Sequence, residues 1–165
     1  MTASAQTPRA RVRARVRNAS AADATAVAEA VATLLCELGA TPPPRSAMET
    51  AARAVIADAE SGAVLVAEDG DGLLVGVLAA SWPLAVHAGG SYGLIQDLWV
   101  DPAWRSAGTG AELVEAFSDL AARRGASRVE VGIPRDDFPM LAATRRFYER
   151  SGFDVVGARM RRRTA

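Results

Sequence analysis

The stretch Leu94–Gly125, LIQDLWVDPAWRSAGTGAELVEAFSDLAARRG, decides how the rest of the chain is read. It opens with an apolar run of strand length, Leu94–Val100, closed by the turn pair Asp101-Pro102. Arg105-Ser-Ala-Gly108-Thr-Gly110 follows as a glycine-bearing loop. From about Gly108 the positions Leu113, Phe117, Leu120 and Ala121 fall on one face of a helix. Arg123 and Arg124 suit the negative end of that helix's dipole, and Gly125 is placed to cap it. A strand that delivers a glycine loop onto a helix N-terminus makes an anion cradle. Glycine lets the backbone come close to a diphosphate, and the first-turn N–H groups have no partner inside the helix. A nucleoside-triphosphate loop needs Gly-Lys-Ser/Thr, and this chain contains no lysine. The dinucleotide pattern GxGxxG fails too, because Leu113 stands where the third glycine belongs.

What remains is Arg105-x-x-Gly108-x-Gly110 after a strand ending in Val100-Asp-Pro. It resembles the signature of the GNAT superfamily of acyl-CoA-dependent N-acyltransferases. A second segment agrees with the first. Phe147-Tyr148-Glu-Arg-Ser-Gly152-Phe153 resembles the family's Leu-Tyr-x-x-x-Gly-Phe, and it falls in the last helix, as it should. The resemblance implies an acetyl-CoA cosubstrate whose pyrophosphate lies on the amides of Arg105, Ser106, Ala107, Gly108, Thr109 and Gly110. It also implies that Leu98, Trp99 and Val100 of the preceding strand border the thioester.

Composition bounds the rest. At 165 residues, half of them hydrophobic, the chain can bury a sizeable core but leaves little room for a second domain. Residues 1–10 read as a flexible tail and 11–165 as a single acyltransferase domain. The formal charge of zero provides no global field for nucleic acid or membrane. One cysteine excludes an internal disulfide, and no apolar run reaches membrane-spanning length, so a cytoplasmic protein is expected. One histidine and one cysteine cannot build a familiar zinc site, and no metal is expected.

In chain order, Arg9–Arg17 alternates Arg with Ala or Val at period two and reads as a strand with a solvated face. The sharper reading of these arginines, a nucleic-acid arm, lacks aromatic residues for stacking. Ser20-Ala-Ala-Asp23 is a capping box for a helix running to Gly39, in which Cys36 reads as an apolar filler. Thr41-Pro-Pro-Pro44 separates it from a second helix, with Ala52, Val55, Ile56 and Ala59 as its apolar stripe. Ala63–Glu68 and Leu73–Trp82 are strands joined by the hairpin signal Asp69-Gly-Asp-Gly72, and Pro83–Ser91 is a loop carrying His87. After the central helix, Arg128–Ile133 reads as a strand, Pro139 opens a last helix that Gly152 stops, and Phe153–Arg163 is a closing strand. The order is β-α-α-β-β-β-α-β-α-β, which defines an α/β fold with a central mixed sheet flanked by helices. The GNAT resemblance sets the count at about six to seven strands and about four helices, with the first two helices covering the acceptor.

The same resemblance makes Tyr148 the general acid that protonates the departing coenzyme A thiolate. A phenol with a reference pKa of about 10 holds its proton at neutral pH, yet can give it to a thiolate. Some members carry a glutamate where this chain has Gln96-Asp97. Gln96 cannot accept a proton; Asp97 can, directly or through water, with His87 and water as the alternative bases. Simple alternation groups Ile95, Asp97 and Trp99 on one face, but a family-type bulge would reset that parity. Such a bulge would also free an N–H near Leu98 to polarise the thioester carbonyl. The activity so implied is acetyl transfer to a primary amine of a small-molecule or amino-acid-like acceptor, by direct attack. The other readings are a protein or peptide N-acetyltransferase and a non-catalytic acyl-CoA-binding module. Homodimerisation is left open.

Overall fold

The computed structural model describes residues 13–157 and residue 162. The proposed tail and the first part of the Arg9–Arg17 segment therefore lie outside the described residues.

Two apolar faces of one sheet organise the molecule. Among the described residues the sheet has five strands in the order β1 (Arg15–Asn18), β2 (Gly62–Glu68), β3 (Leu74–Ser81), β6 (Gly93–Val100) and β7 (Val129–Val131). Each pair is antiparallel except β6–β7, which is parallel and therefore needs a crossover. Helix α3 (Thr109–Arg123) makes that crossover. Strands β4 (Leu84–Ala85) and β5 (Gly90–Ser91) form a separate two-stranded ribbon within the segment read as a loop. With four helices among the described residues, the mixed α/β architecture expected from the sequence is present.

The period-two alternation of the strands sorts side chains to the two faces. On one, Val64, Val66 and Val77 meet Val27 and Ala30 of α1 (Ala24–Glu37) and Val55 and Ile56 of α2 (Arg45–Ala57). On the other, Leu65, Leu78 and Ala80 meet Leu113, Val114, Phe117 and Ala121 of α3 and Tyr148 of α4 (Leu141–Arg150). Both faces are covered, which is why β2 and β3 are apolar nearly throughout.

Three local readings need correction. Helix α4 starts at Leu141, two residues past Pro139. Residues 153–157 of the expected closing strand form no strand, and Val155 and Val156 are exposed there; of the remainder, 158–161 and 163 lie outside the described residues. Cys36 is exposed rather than packed, because the buried stripe of α1 runs through Val27, Ala28 and Ala30.

The capping box is present and does more than cap. Asp23 accepts hydrogen bonds from the Ser20 N–H (2.6 Å) and hydroxyl (2.8 Å), and its two oxygens also take Arg17 at 2.8 and 2.9 Å. Arg17 pairs with Glu68 as well, so β1, β2 and the start of α1 share one ion cluster. The Arg17 guanidinium holds the Asp23 carboxyl well below the usual carboxylate range. A depressed folded-state pKa contributes stability above the unfolded value, about 3.9, that is lost as pH falls toward the folded one. Asp23→Ala should therefore lower stability by about 1–2 kcal/mol at pH 7. The deficit should shrink in urea titrations at pH 3, where wild type begins to lose the same contribution; an equal deficit at both pH values would leave only the loss of the cap.

Candidate active site

Strand β6 pairs with β3 from Leu94 to Val100 around one irregularity, but with β7 only from Gly93 to Ile95. Opposite β3 the register runs Trp99↔Val77, Leu98↔Leu78, Asp97↔Ala79 and then Ile95↔Ala80, so Gln96 is the extra residue of a bulge. The bulge puts Ile95 and Leu98, three positions apart, on the same face with α3 and α4. Asp97 lies opposite Ala79, and Trp99 opposite Val77. Ala79, Val77 and Trp99 all belong to the α1–α2 side, which places Asp97 there too. Pairing with β7 ends at Ile95↔Val131, so among the described residues Gln96–Val100 has no strand on that edge.

The gap left by β7 is a groove of about 970 Å³. One wall comes from the end of α1 (Leu34, Glu37 and Leu38), and the floor is β6 (Gln96, Leu98, Trp99 and Val100). Arg105, Ser106, Gly108 and Gly110 line the loop end, while Phe147, Tyr148 and Arg150 of α4 close the far side. The volume lies at the upper end of small-molecule and cofactor sites. Arg105 and Arg150 are its cationic lining residues.

The loop adopts the conformation a backbone cradle needs. Ser106 and Gly108 have φ of 62° and 95°, in the left-handed region, and Gly108 is the N-cap of α3. The first-turn N–H groups of α3 have no carbonyl one turn earlier in the helix to bond. These features fit a diphosphate held by main-chain donors at a helix N-terminus. Not every loop residue faces the groove. Thr109 is 2 % exposed with its side chain against the sheet, and neither it nor Ala107 is a lining residue, so only their backbone could serve a ligand. The Arg105 side chain is occupied by protein partners. Its Nε donates to the Val100 carbonyl at 2.9 Å, and one terminal nitrogen contacts both Glu37 oxygens at 2.7 and 2.8 Å.

The two glycines have different tasks. A Cβ on Gly108 would meet nothing within 4 Å, so there the constraint is the backbone angle. A Cβ on Gly110 would sit 3.3 Å from the Phe147 ring and 3.6 Å from Val100 Cγ2, so there the constraint is close packing of α4 onto α3. Gly108→Val, with about 1–3 kcal/mol of backbone strain, should weaken coenzyme A binding about ten- to hundredfold. Gly110→Val should weaken it by displacing Phe147, beside Tyr148. Calorimetric titration showing unchanged affinity in both variants would remove this loop from the donor site.

Tyr148 is 9 % exposed, with edge-on contacts to Phe147 and Phe153 at ring separations of 4.9 and 5.4 Å. Burial pushes its phenol up to about 12. Asp97 is half-buried, makes no hydrogen bond or ion pair among the described residues, and burial raises its carboxyl above the ordinary value. The arginine partner that a purely structural Asp97 would have is not found among them. Asp97 is not a lining residue of the groove; it lies on the α1–α2 side of β6, while Tyr148 lies on the α3–α4 side. Beside Asp97, Trp99 buries an indole N–H with no partner among the described residues. His87 is exposed, 6.1 Å from the Tyr92 ring, and does not line the groove. Glu37 and Arg150 are charged groove residues that sequence reading missed. For Glu37 the available signal was a carboxylate at the C-terminal end of α1, where the helix dipole disfavours it.

The groove thus brings together a splayed central strand, a glycine loop on a helix N-terminus and a tyrosine across the gap. The family description "Acetyltransferase (GNAT) domain" matches residues 60–155, more than half of the chain, and the protein belongs to that family. Among curated proteins none matches significantly. Several solved structures share the fold. An acetyltransferase of Trypanosoma brucei is 24% identical, with a TM-score of 0.68 over 92% of this chain and 99% of that one. A ribosomal-protein-alanine N-acetyltransferase of Brucella melitensis is 21% identical, with a TM-score of 0.71 over 92% and 99%. An aminoglycoside antibiotic 6'-N-acetyltransferase of Acinetobacter baumannii is 14% identical, with a TM-score of 0.75 over 92% and 98%. GNAT enzymes generally use acetyl-CoA. Among the described residues no metal-binding cluster occurs, and no helix is long and apolar enough to cross a membrane.

Proposed function

We propose that residues 11–165 act as one N-acetyltransferase domain that moves an acetyl group from acetyl-CoA to a primary amine of a small-molecule or amino-acid-like acceptor. The observation that carries this reading is the groove through the sheet at the bulge. It is lined on one side by α1 and Trp99, and on the other by Leu98, Val100, the glycine loop and Tyr148. Donor and acceptor can then approach the reacting carbon from opposite faces.

Acetyl-CoA supplies an activated acyl group on a thiolate leaving group. The loop amides of Arg105–Gly110 hold its diphosphate, and the open edge of β6 orients the rest. The backbone N–H near Leu98 stabilises the oxyanion as the amine nitrogen bonds to the acyl carbon. Asp97, outside the groove lining on the α1–α2 side of β6, takes the proton that the amine sheds through an intervening water. Tyr148 gives its proton to the sulfur as the C–S bond breaks. A phenol near pKa 12 is a weaker acid than a typical thiol, about 8.5. Burial penalises the thiolate in the same way, which narrows that difference where the transfer occurs. A covalent enzyme intermediate is unnecessary, since amine and thioester can meet directly.

An acceptor screen with acetyl-CoA, following free thiol release, tests the reading. Small amines and amino-acid amides should release thiol well above the hydrolytic background. Release with peptide N-termini but none of these would move the acceptor class to proteins.

A further inference from the structure

We propose that Glu37 is a positioning residue for the donor site, acting through Arg105 on the diphosphate loop. The inference rests on the reading that Arg105–Gly110 holds the donor. The two residues are far apart in sequence and belong to different elements. Glu37 closes α1, and Arg105 stands at the exit of the turn after β6. Both face the groove. One terminal nitrogen of Arg105 sits 2.7 and 2.8 Å from the two Glu37 oxygens, while its Nε holds the last carbonyl of β6 at 2.9 Å. The guanidinium is thus tied at once to the end of the strand and to the helix over the acceptor side.

What this tie controls is the residue that follows. Ser106 has φ of 62°, unfavourable for a non-glycine residue, and such a conformation persists only where neighbours enforce it. Arg105 is the neighbour with fixed partners on both sides. Glu37 in turn sits at the negative end of its own helix, an unfavourable place for a carboxylate, and the helix contributes no cation in its last turn. Arg105 supplies the missing counter-charge. If Glu37 did nothing for the loop, its charge would only repel a polyanionic donor, and removing it would tighten binding. The proposal requires the opposite sign.

The experiment uses the full chain, with coenzyme A as the titrant and Glu37→Gln, Arg105→Gln and the double variant as tests. The pair is partly exposed, so the expected effect is moderate: Glu37→Gln should weaken coenzyme A binding about three- to tenfold. Arg105→Gln should lose a comparable factor, and the double variant little more than either, because the two act as one unit. With acetyl-CoA as donor, Glu37→Gln should raise KM. With acetyl-pantetheine, which lacks the diphosphate, its kcat/KM should fall clearly less than with acetyl-CoA, and its melting temperature should stay close to wild type. Equal losses with both donors would mark a general structural role and overturn the proposal, as would unchanged or tighter binding or additive losses. Wild type that fails to bind coenzyme A would overturn the donor reading and this inference together. Wild type that binds, beside a Glu37→Gln variant that binds equally well, would overturn the inference alone.

Discussion

Tyr148→Phe is expected to bind acetyl-CoA about as well as wild type and to lose about 10²–10⁴-fold in kcat. The substitution removes one hydroxyl and leaves the ring, so the contacts with Phe147 and Phe153 survive and the fold with them. The loss belongs in kcat rather than KM because the proton moves only in the transition state. With the phenol near 12, Tyr148 stays protonated over the usable pH range, and it should impose no alkaline fall in rate below about pH 11. Turnover by Tyr148→Phe at close to the wild-type rate would return Tyr148 to the core as an ordinary packed residue.

Asp97→Asn is expected to lose a similar factor at neutral pH and less at high pH, where unprotonated amine is abundant. Its stability should move the other way. Burial raises the Asp97 pKa in the folded protein, so the native state binds this proton more tightly than the unfolded chain does. Stability from that source is fully present below the unfolded pKa, about 3.9, and is lost as pH rises through the folded value. At pH 7 the wild type carries a half-buried carboxylate with no partner among the described residues, and the neutral amide should leave the melting temperature equal or higher. A variant that loses activity uniformly across pH and melts lower would make Asp97 structural.

What the sequence revealed follows the range of each interaction. Strand, turn, loop and helix over residues 94–125 are set by neighbours within a turn or two, and they occur where the pattern put them. The face taken by Asp97 was not legible. Parity along β6 alone grouped it with Ile95, and only the register with Ala79 and Ala80 separates the two. The Glu37–Arg105 tie spans two elements that sequence periodicity never compares. Phe153–Arg163 reads as a strand because apolar residues are present, yet Val155 and Val156 meet no strand among the described residues. Loop chemistry misled in a different way. The signature in Arg105–Gly110 marks six neighbours alike, whereas the fold turns the Thr109 side chain inward and gives the Arg105 side chain to Glu37.

The cations that line the groove, Arg105 and Arg150, bear on what the acetyl group can meet there. Each is a guanidinium, whose delocalised cation offers no free lone pair for acyl attack. The same holds for every basic side chain outside His87, because all 19 are arginine. A lysine beside a bound thioester would be a competing nucleophile in the wall of the site itself. This chain brings positive charge to an acylating reagent without offering it a side-chain amine, so its surface is proof against modification by its own donor at lysine.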